Sequence, residues 1–127
     1  MTWEVSDPTP DRAYVRVEQV GSTDAEQMRA ALTATLASCD RYETYRVLTD
    51  ISEQRADHTV VDLFDLVGRM TGLDTHGHAF RNAVLIGTDP DPEAAELARF
   101  FETTAVNRGV SVRVFDDAGP AVTWLLR

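Results

Sequence analysis

Five consecutive residues, Asn82-Ala83-Val84-Leu85-Ile86, form a nearly uniform apolar run. Successive side chains of an extended strand point to opposite faces, so a run of this kind has to be covered on both sides. A strand buried on both faces belongs to a parallel sheet with helices packed against it. That requirement makes an α/β fold the expectation for the whole chain.

The flanking segments fit the expectation. Trp3 to Val5 reads as a short edge strand ended by the turn cluster Ser6 to Asp11, and Ala13 to Val20 resumes the strand pattern with Val15 and Val17 on one face. The two predict a hairpin. Thr23 with Glu26 has the spacing of a capping box and opens a helix from Asp24 to about Ala37, lined by Met28, Leu32 and Leu36. Tyr45 to Thr49 is a strand ending at Asp50, and Ser52 to Arg55 is a polar loop. A second helix starts near Asp57, buries Val60, Phe64 and Val67 with Leu63 and Met70 widening the stripe, and stops at Thr71-Gly72. Asp91 caps a third helix with Pro92 at its first position; Leu97, Phe101 and Ala105 bury it and Arg108-Gly109 closes it. Val110 to Phe115 alternates as a last strand, and a closing helix from Asp116 to Leu126 carries Ala121, Trp124 and Leu125 at helical spacing. Trp124 and Leu125 are expected to seal the core against Val112 and Val114.

The order is β-β-α-β-α-β-α-β-α: a mostly parallel five-stranded sheet, right-handed crossovers, and an antiparallel opening hairpin. One domain over residues 1–127 is the natural size for such a chain. No stretch approaches the roughly 20 apolar residues of a membrane span, and Met1 to Val5 has neither the basic start nor the apolar run of a signal peptide. A cytoplasmic location is therefore expected. The single cysteine, Cys39, agrees with a reducing compartment. Twelve basic residues, all arginine, against 21 acidic ones give a net charge of −9, which argues against nucleic acid and anionic membrane surfaces as partners.

Three short segments carry a resemblance to a known family. Arg81 to Ile86, an arginine followed by small and branched apolar residues, and Arg113-Val114-Phe115 with Ala121, Trp124 and Leu125, resemble the SpoIIAA-like (STAS/SEC14) branch of the STAS superfamily. Val47-Leu48-Thr49-Asp50-Ile51-Ser52 is similar to the strand end of anti-sigma-factor antagonists. The resemblance implies a non-enzymatic binding or regulatory module that engages a protein partner or a small apolar ligand, with a second copy of the chain (a homodimer) among the partners left open. A lipid carrier of the SEC14 type is the alternative. In the antagonists the next helix begins Asp-Ser-Ser-Gly and its second serine is phosphorylated. The matching residues here are Asp57-His58-Thr59-Val60. Asp50, Ser52, Asp57, His58 and Thr59 are thus the candidate phosphorylation or partner-binding residues. Val60 departs from the pattern, since glycine there would let a partner approach the backbone and a valine suits the core stripe instead.

Other clusters carry less. Asp74, His76 and His78 are chemically able to ligate zinc or nickel, but a structural zinc site needs four ligands and a glycine-flanked polar stretch is usually a solvated loop. No metal or cofactor is expected. Cys39 with His58 would need a third group to act as nucleophile and base, and Cys39 reads better as buried near a helix end. Asp62 and Asp65 share a helix face, most simply a solvated one. Gly68, Gly72, Gly77 and Gly87 form no phosphate-binding pattern. A carrier requires a closed cavity of at least roughly 300 Å³ beneath the second or third helix. An enzyme requires ionisable groups converging near Asp50, Ser52, Gly87 and Thr88, at the C-terminal ends of the parallel strands.

Overall fold

In the computed structural model, which describes residues 3–71 and 80–127, five strands lie side by side in sequence order. They are β1 (Trp3–Ser6), β2 (Val15–Thr23), β3 (Arg46–Ala56), β4 (Arg81–Leu85) and β5 (Ser111–Phe115). Only the β1 to β2 pairing is antiparallel. Helices α1 (Ala25–Tyr42), α2 (Val60–Met70) and α3 (Pro92–Asn107) connect the parallel strands, and α4 (Ala118–Leu125) follows β5. The element order is the one predicted. Asp74, His76 and His78 lie outside the described residues. No described helix is long and apolar enough to cross a membrane.

The two faces of the sheet are unequal. Val15, Val17, Val47, Ile51, Val84 and Val112 pack with Met28, Leu63, Val67, Leu97 and Phe101 in a large core beneath α1, α2 and α3. On the other face Leu48 and Ala83 pack with Ala121 and Leu125 of α4 in a smaller one. Neighbours Ala83 and Val84 therefore bury in opposite directions, as the apolar run demands. This arrangement corrects one expectation. Val112 and Val114 belong to the three-helix side, so Trp124 does not close on them; its ring lies 5.8 Å from that of Phe115, which alternation places on the α4 side.

Helix α4 is short and contains Gly119 and Pro120, so its own propensity is weak. Two arginines hold its end. Arg46 and Arg81 sit directly opposite each other at the starts of β3 and β4. Arg81 Nη1 donates to the carbonyls of Trp124 (3.0 Å) and Arg127 (3.3 Å). Arg46 Nη1 donates to those of Leu125 and Arg127. These carbonyls would otherwise be the unpaired acceptors of a helix C-terminus, and cations there also oppose the helix dipole favourably.

Three boundaries move. Asp24, not Thr23, caps α1 and makes its capping box with Gln27, because Thr23 is still in β2 and buried. The helix continues to Tyr42 and ends in left-handed Glu43, and its buried face is Met28, Ala31, Thr35, Ser38 and Cys39, with Leu32 and Leu36 half-buried. Strand β3 does not end at Asp50: Glu53 to Ala56 pair with Val20 to Thr23, so the predicted polar loop is strand. Helix α2 is capped by Thr59 and starts at Val60; Leu63, Val67 and Met70 are its buried stripe, whereas Val60 and Phe64 are exposed. Helix α3 matches its prediction, including cap Asp91, Pro92 and buried Leu97, Phe101 and Ala105. Its Glu102 reaches over the edge of the sheet, where Oε2 accepts the backbone N–H of Val114 in β5 at 2.5 Å.

The contrast between two adjacent leucines tests the α4 interface. Leu125 is fully buried and Leu126 is half exposed. Leu125→Ala should lower unfolding free energy in urea by about 2 to 5 kcal/mol, and Leu126→Ala by less than about 1 kcal/mol. Equal losses would show that α4 is not seated as described.

Candidate functional site

The strand register slips between Glu18 and Val20 of β2, which pair with Asp50 and Glu53 of β3. One extra residue is thus accommodated in β3 around Ile51-Ser52, a β-bulge of the kind that re-aims side chains next to functional sites. Its effect on either side is concrete. Ser52 donates both its N–H (3.0 Å) and its Oγ–H (2.6 Å) to Asp50 Oδ1, while Arg16 Nη2 donates to Asp50 Oδ2 at 2.8 Å. Arg16 Nη1 also reaches Glu18 at 3.0 Å. Beyond the bulge Gln54 turns into the main core, 4% exposed, and its Nε2 donates to Gln19 Oε1 at 2.5 Å.

Gly87, just after β4, closes this corner. Its φ of +80° favours glycine, and a Cβ there would stand 2.9 Å from Cβ of Ser52. Asp50 and Ser52, midway along β3, meet Gly87 just past the end of β4, with Thr88 exposed beside them. Both oxygens of Asp50 are already bonded, and the only described histidine is held elsewhere. Among the described residues the corner presents a serine and a carboxylate with no histidine beside them.

The remaining candidates lie at the start of α2. The Ala56 N–H donates to Asp91 Oδ2 at 3.4 Å, tying the end of β3 to the cap of α3. Asp57 is exposed, and His58 turns inward, 8% exposed, with Nδ1 3.2 Å from the carbonyl oxygen of Thr23. Thr59 is exposed and forms a capping box: its Oγ1 accepts the N–H of Asp62 (3.3 Å) and its own N–H donates to Asp62 Oδ2 (2.8 Å). The five candidates are therefore not one cluster. Asp50 and Ser52 form the bulge corner, Asp57 and Thr59 the exposed entry to α2, and His58 is an internal prop between strand and helix.

Next to Thr59 the structure shows what the periodicity missed. Val60, Val61 and Phe64 are 47%, 72% and 46% exposed, and the Arg108 guanidinium lies 4.2 Å over the Phe64 ring. Val106 of α3 is exposed as well. The signal was present in the sequence: apolar residues at 60, 61, 63, 64, 66, 67 and 70 are too many for one buried stripe of an 11-residue helix. Asp62 is explained by the cap, and Asp65 by its pairing with Arg69 at 3.1 Å.

Cys39 is fully buried, and burial, reinforced by Asp40, pushes its thiol pKa from 9.0 up to about 12. It lies near the C-terminal end of α1, as expected of a buried cysteine near a helix end, while His58 is bonded at Thr23, ahead of that 18-residue helix, so the two are not brought together. Among the described residues no group of three or more His, Cys, Asp or Glu side chains is placed to hold a metal ion. Between the sheet and α1, α2 and α3 lies a cavity of about 80 Å³, well below the roughly 300 Å³ a lipid carrier needs.

No protein-family model matches the chain, and no curated protein does. Solved structures do. An uncharacterized DUF3478-family protein from Shewanella loihica PV-4 with a SpoIIAA-like fold superimposes with a TM-score of 0.55 at 22% identity, covering 97% of this chain and 93% of the other. The anti-sigma factor antagonist SpoIIAA in its unphosphorylated form gives a TM-score of 0.57 at 16% identity, covering 98% and 97%. The chain has a SpoIIAA-like fold. At these identities the SpoIIAA-like architecture is what is shared, and the chemistry of the site rests on the residues above.

Two measurements check this SpoIIAA-like corner and its surroundings. Gly87→Ala should cost about 1 to 2 kcal/mol for the left-handed backbone and more for the Ser52 contact, whereas Gly109→Ala, with the same φ but nothing within 4 Å, should carry the backbone cost alone. Adding Ser52→Gly should restore about 0.5 kcal/mol or more to Gly87→Ala; strict additivity would remove the contact from the account. For Cys39 the folded pKa is raised, so its contribution is complete below pH 9.0 and is lost as pH climbs toward 12. Stability should fall more steeply in the wild type than in Cys39→Ala over that window, by up to about 1.4 kcal/mol per pH unit. Parallel pH curves would contradict it.

Proposed function

We propose that the protein is a non-enzymatic regulatory module that binds another protein through the N-terminal half of α2. The observation that carries this reading is the exposed trio Val60, Val61 and Phe64 beginning one residue after Thr59. Contiguous apolar surface of this kind on a soluble protein marks an interaction site. Exposed Asp57, with the acidic balance of the chain, favours a partner whose complementary face is apolar at its centre and basic at its rim. The fold shared with an anti-sigma factor antagonist supports a protein partner. Val60 gives the partner a side chain to grip where the antagonists' glycine offers backbone.

Thr59 is the proposed switch. Its hydroxyl is exposed at a helix N-terminus, where the dipole stabilises an added phosphate by about 0.3 to 2 kcal/mol. The phosphate would also meet the Asp62 carboxylate that now caps the same turn, so modification would rearrange the entry to α2 by like-charge repulsion. Asp57 flanks this surface. Ser52 and Asp50 shape the strand that leads to it, and His58 fixes the helix start from inside.

A photo-crosslinking residue at Val61 should trap a specific protein in cells. With that partner purified, Val61→Asp and Phe64→Ser should each weaken binding about tenfold or more, and Leu126→Ser, on α4, should leave it unchanged. Wild-type affinity in both α2 variants would move the interface elsewhere. Incubation with the protein kinases of its own genome, followed by mass spectrometry, should place phosphate on Thr59 and none on Thr59→Ala. A chain that stays unmodified, or is modified elsewhere, ends the switch reading.

A further inference from the structure

The cavity under α2 and α3 is not an ordinary gap in an apolar core. Its floor is a row of polar side chains on adjacent strands: Gln19 of β2, Thr49 and Gln54 of β3, and Asn82 of β4, with His58 at one side. Gln54, His58 and Asn82 are each more than nine-tenths buried. Thr49 Oγ1 donates to Asn82 Oδ1 at 2.9 Å, and Gln54 Nε2 donates to Gln19 Oε1. Each of these bonds uses one end of an amide and leaves the other. Asn82 Nδ2, with two hydrogens, and Gln54 Oε1 make no hydrogen bond among the described residues. The bond from His58 to a carbonyl oxygen requires a proton on Nδ1; in the neutral ring Nε2 is then an acceptor, and it has no partner among the described residues.

Among the described residues the fully buried side-chain atoms without a partner are Arg12 Nε and Thr23 Oγ1, so the free groups of the floor open onto the cavity, and what fills it must complete their hydrogen bonds. We propose that the cavity is a binding site for a small uncharged molecule that both donates and accepts hydrogen bonds, of the primary-amide class. Three features select that chemistry. Among the described residues no carboxylate and no guanidinium lines the space, so these residues offer an entering ion no counter-charge. The free groups are a donor pair on Asn82 and acceptors on Gln54 and His58, which match the oxygen and the NH₂ of an amide. Apart from Thr35, whose hydroxyl donates to the Ala31 carbonyl, the rest of the described wall is apolar, with Leu63, Leu97 and Phe101, so a short alkyl portion is accommodated. Size sets the limit. A space of about 80 Å³ admits a molecule of a few non-hydrogen atoms and excludes a lipid. The proposal does not depend on the docking face of α2, since the groups that carry it point into the core.

The test is a heteronuclear NMR titration of the full chain with propionamide, with propionate as the charged isostere. Saturable shifts are expected at the side-chain NH₂ signals of Asn82 and Gln54 and at the His58 ring. Propionate should bind about tenfold more weakly or worse. Asn82→Leu removes the donor pair and Ala98→Val narrows the space; either variant, once its native circular dichroism and melting are confirmed, should lose the saturable shifts. Because Ala98→Val leaves every polar group of the floor in place, it keeps the test decisive should Asn82→Leu fail to fold. If propionamide leaves these signals unmoved, shifts only surface residues, or binds no better than propionate, the cavity holds water alone and the proposal falls.

Discussion

The double cover of β4 is the constraint on which the rest of the structure depends. A strand whose neighbours Ala83 and Val84 are both buried needs apolar partners above and below at once. Three helices supply the larger side, but the smaller rests on α4, an eight-residue helix with a glycine and a proline in it. Such a helix does not persist by itself. It is held by Leu125 and Ala121 against Leu48 and Ala83, and by the Arg46 and Arg81 guanidiniums on its last carbonyls. Because those arginines face each other across β3 and β4, the register of two strands and the docking of the helix are one event. A slip of the pair would turn the small apolar patch to the wrong face and withdraw the clamp as well.

This coupling also explains the use of arginine. The chain has twelve and no lysine, yet several are engaged with the protein itself: Arg16 with Asp50 and Glu18, Arg46 and Arg81 with carbonyls, Arg69 with Asp65, Arg108 over Phe64. A planar fork reaches two acceptors from one position, which an ammonium does not do in a fixed geometry.

Periodicity made the elements legible and their phase less so. Asp91 with Pro92, the α3 stripe and the run at β4 were readable because one pattern dominated each. Where two patterns competed, the reading slipped. In α2 the spacing of Val60, Phe64 and Val67 is as helical as that of Leu63, Val67 and Met70, and only tertiary packing decides between them. Ser52 to Arg55 is polar because the strand crosses a bulge that turns Gln54 inward and its neighbours outward, and no local pattern encodes a bulge. For the corner of Asp50, Ser52 and Gly87 the expected strand ends hold only for β4, because β3 runs on past Asp50 and Ser52 to Ala56. The cavity floor was not, because Gln19, Thr49, Gln54 and Asn82 are far apart in sequence and meet only when the strands align.

The carboxylate of Glu102, laid across the last strand, has a consequence for how this molecule can meet others. The outer margin of a sheet is ordinarily a template that a stray extended chain can copy. Here the outward amide of Val114 is already occupied by a side chain from the same molecule. An extended peptide approaching that margin would have to displace an intramolecular acceptor before forming its first rung. At the β5 margin, lateral growth of the sheet is discouraged by one well-placed acid.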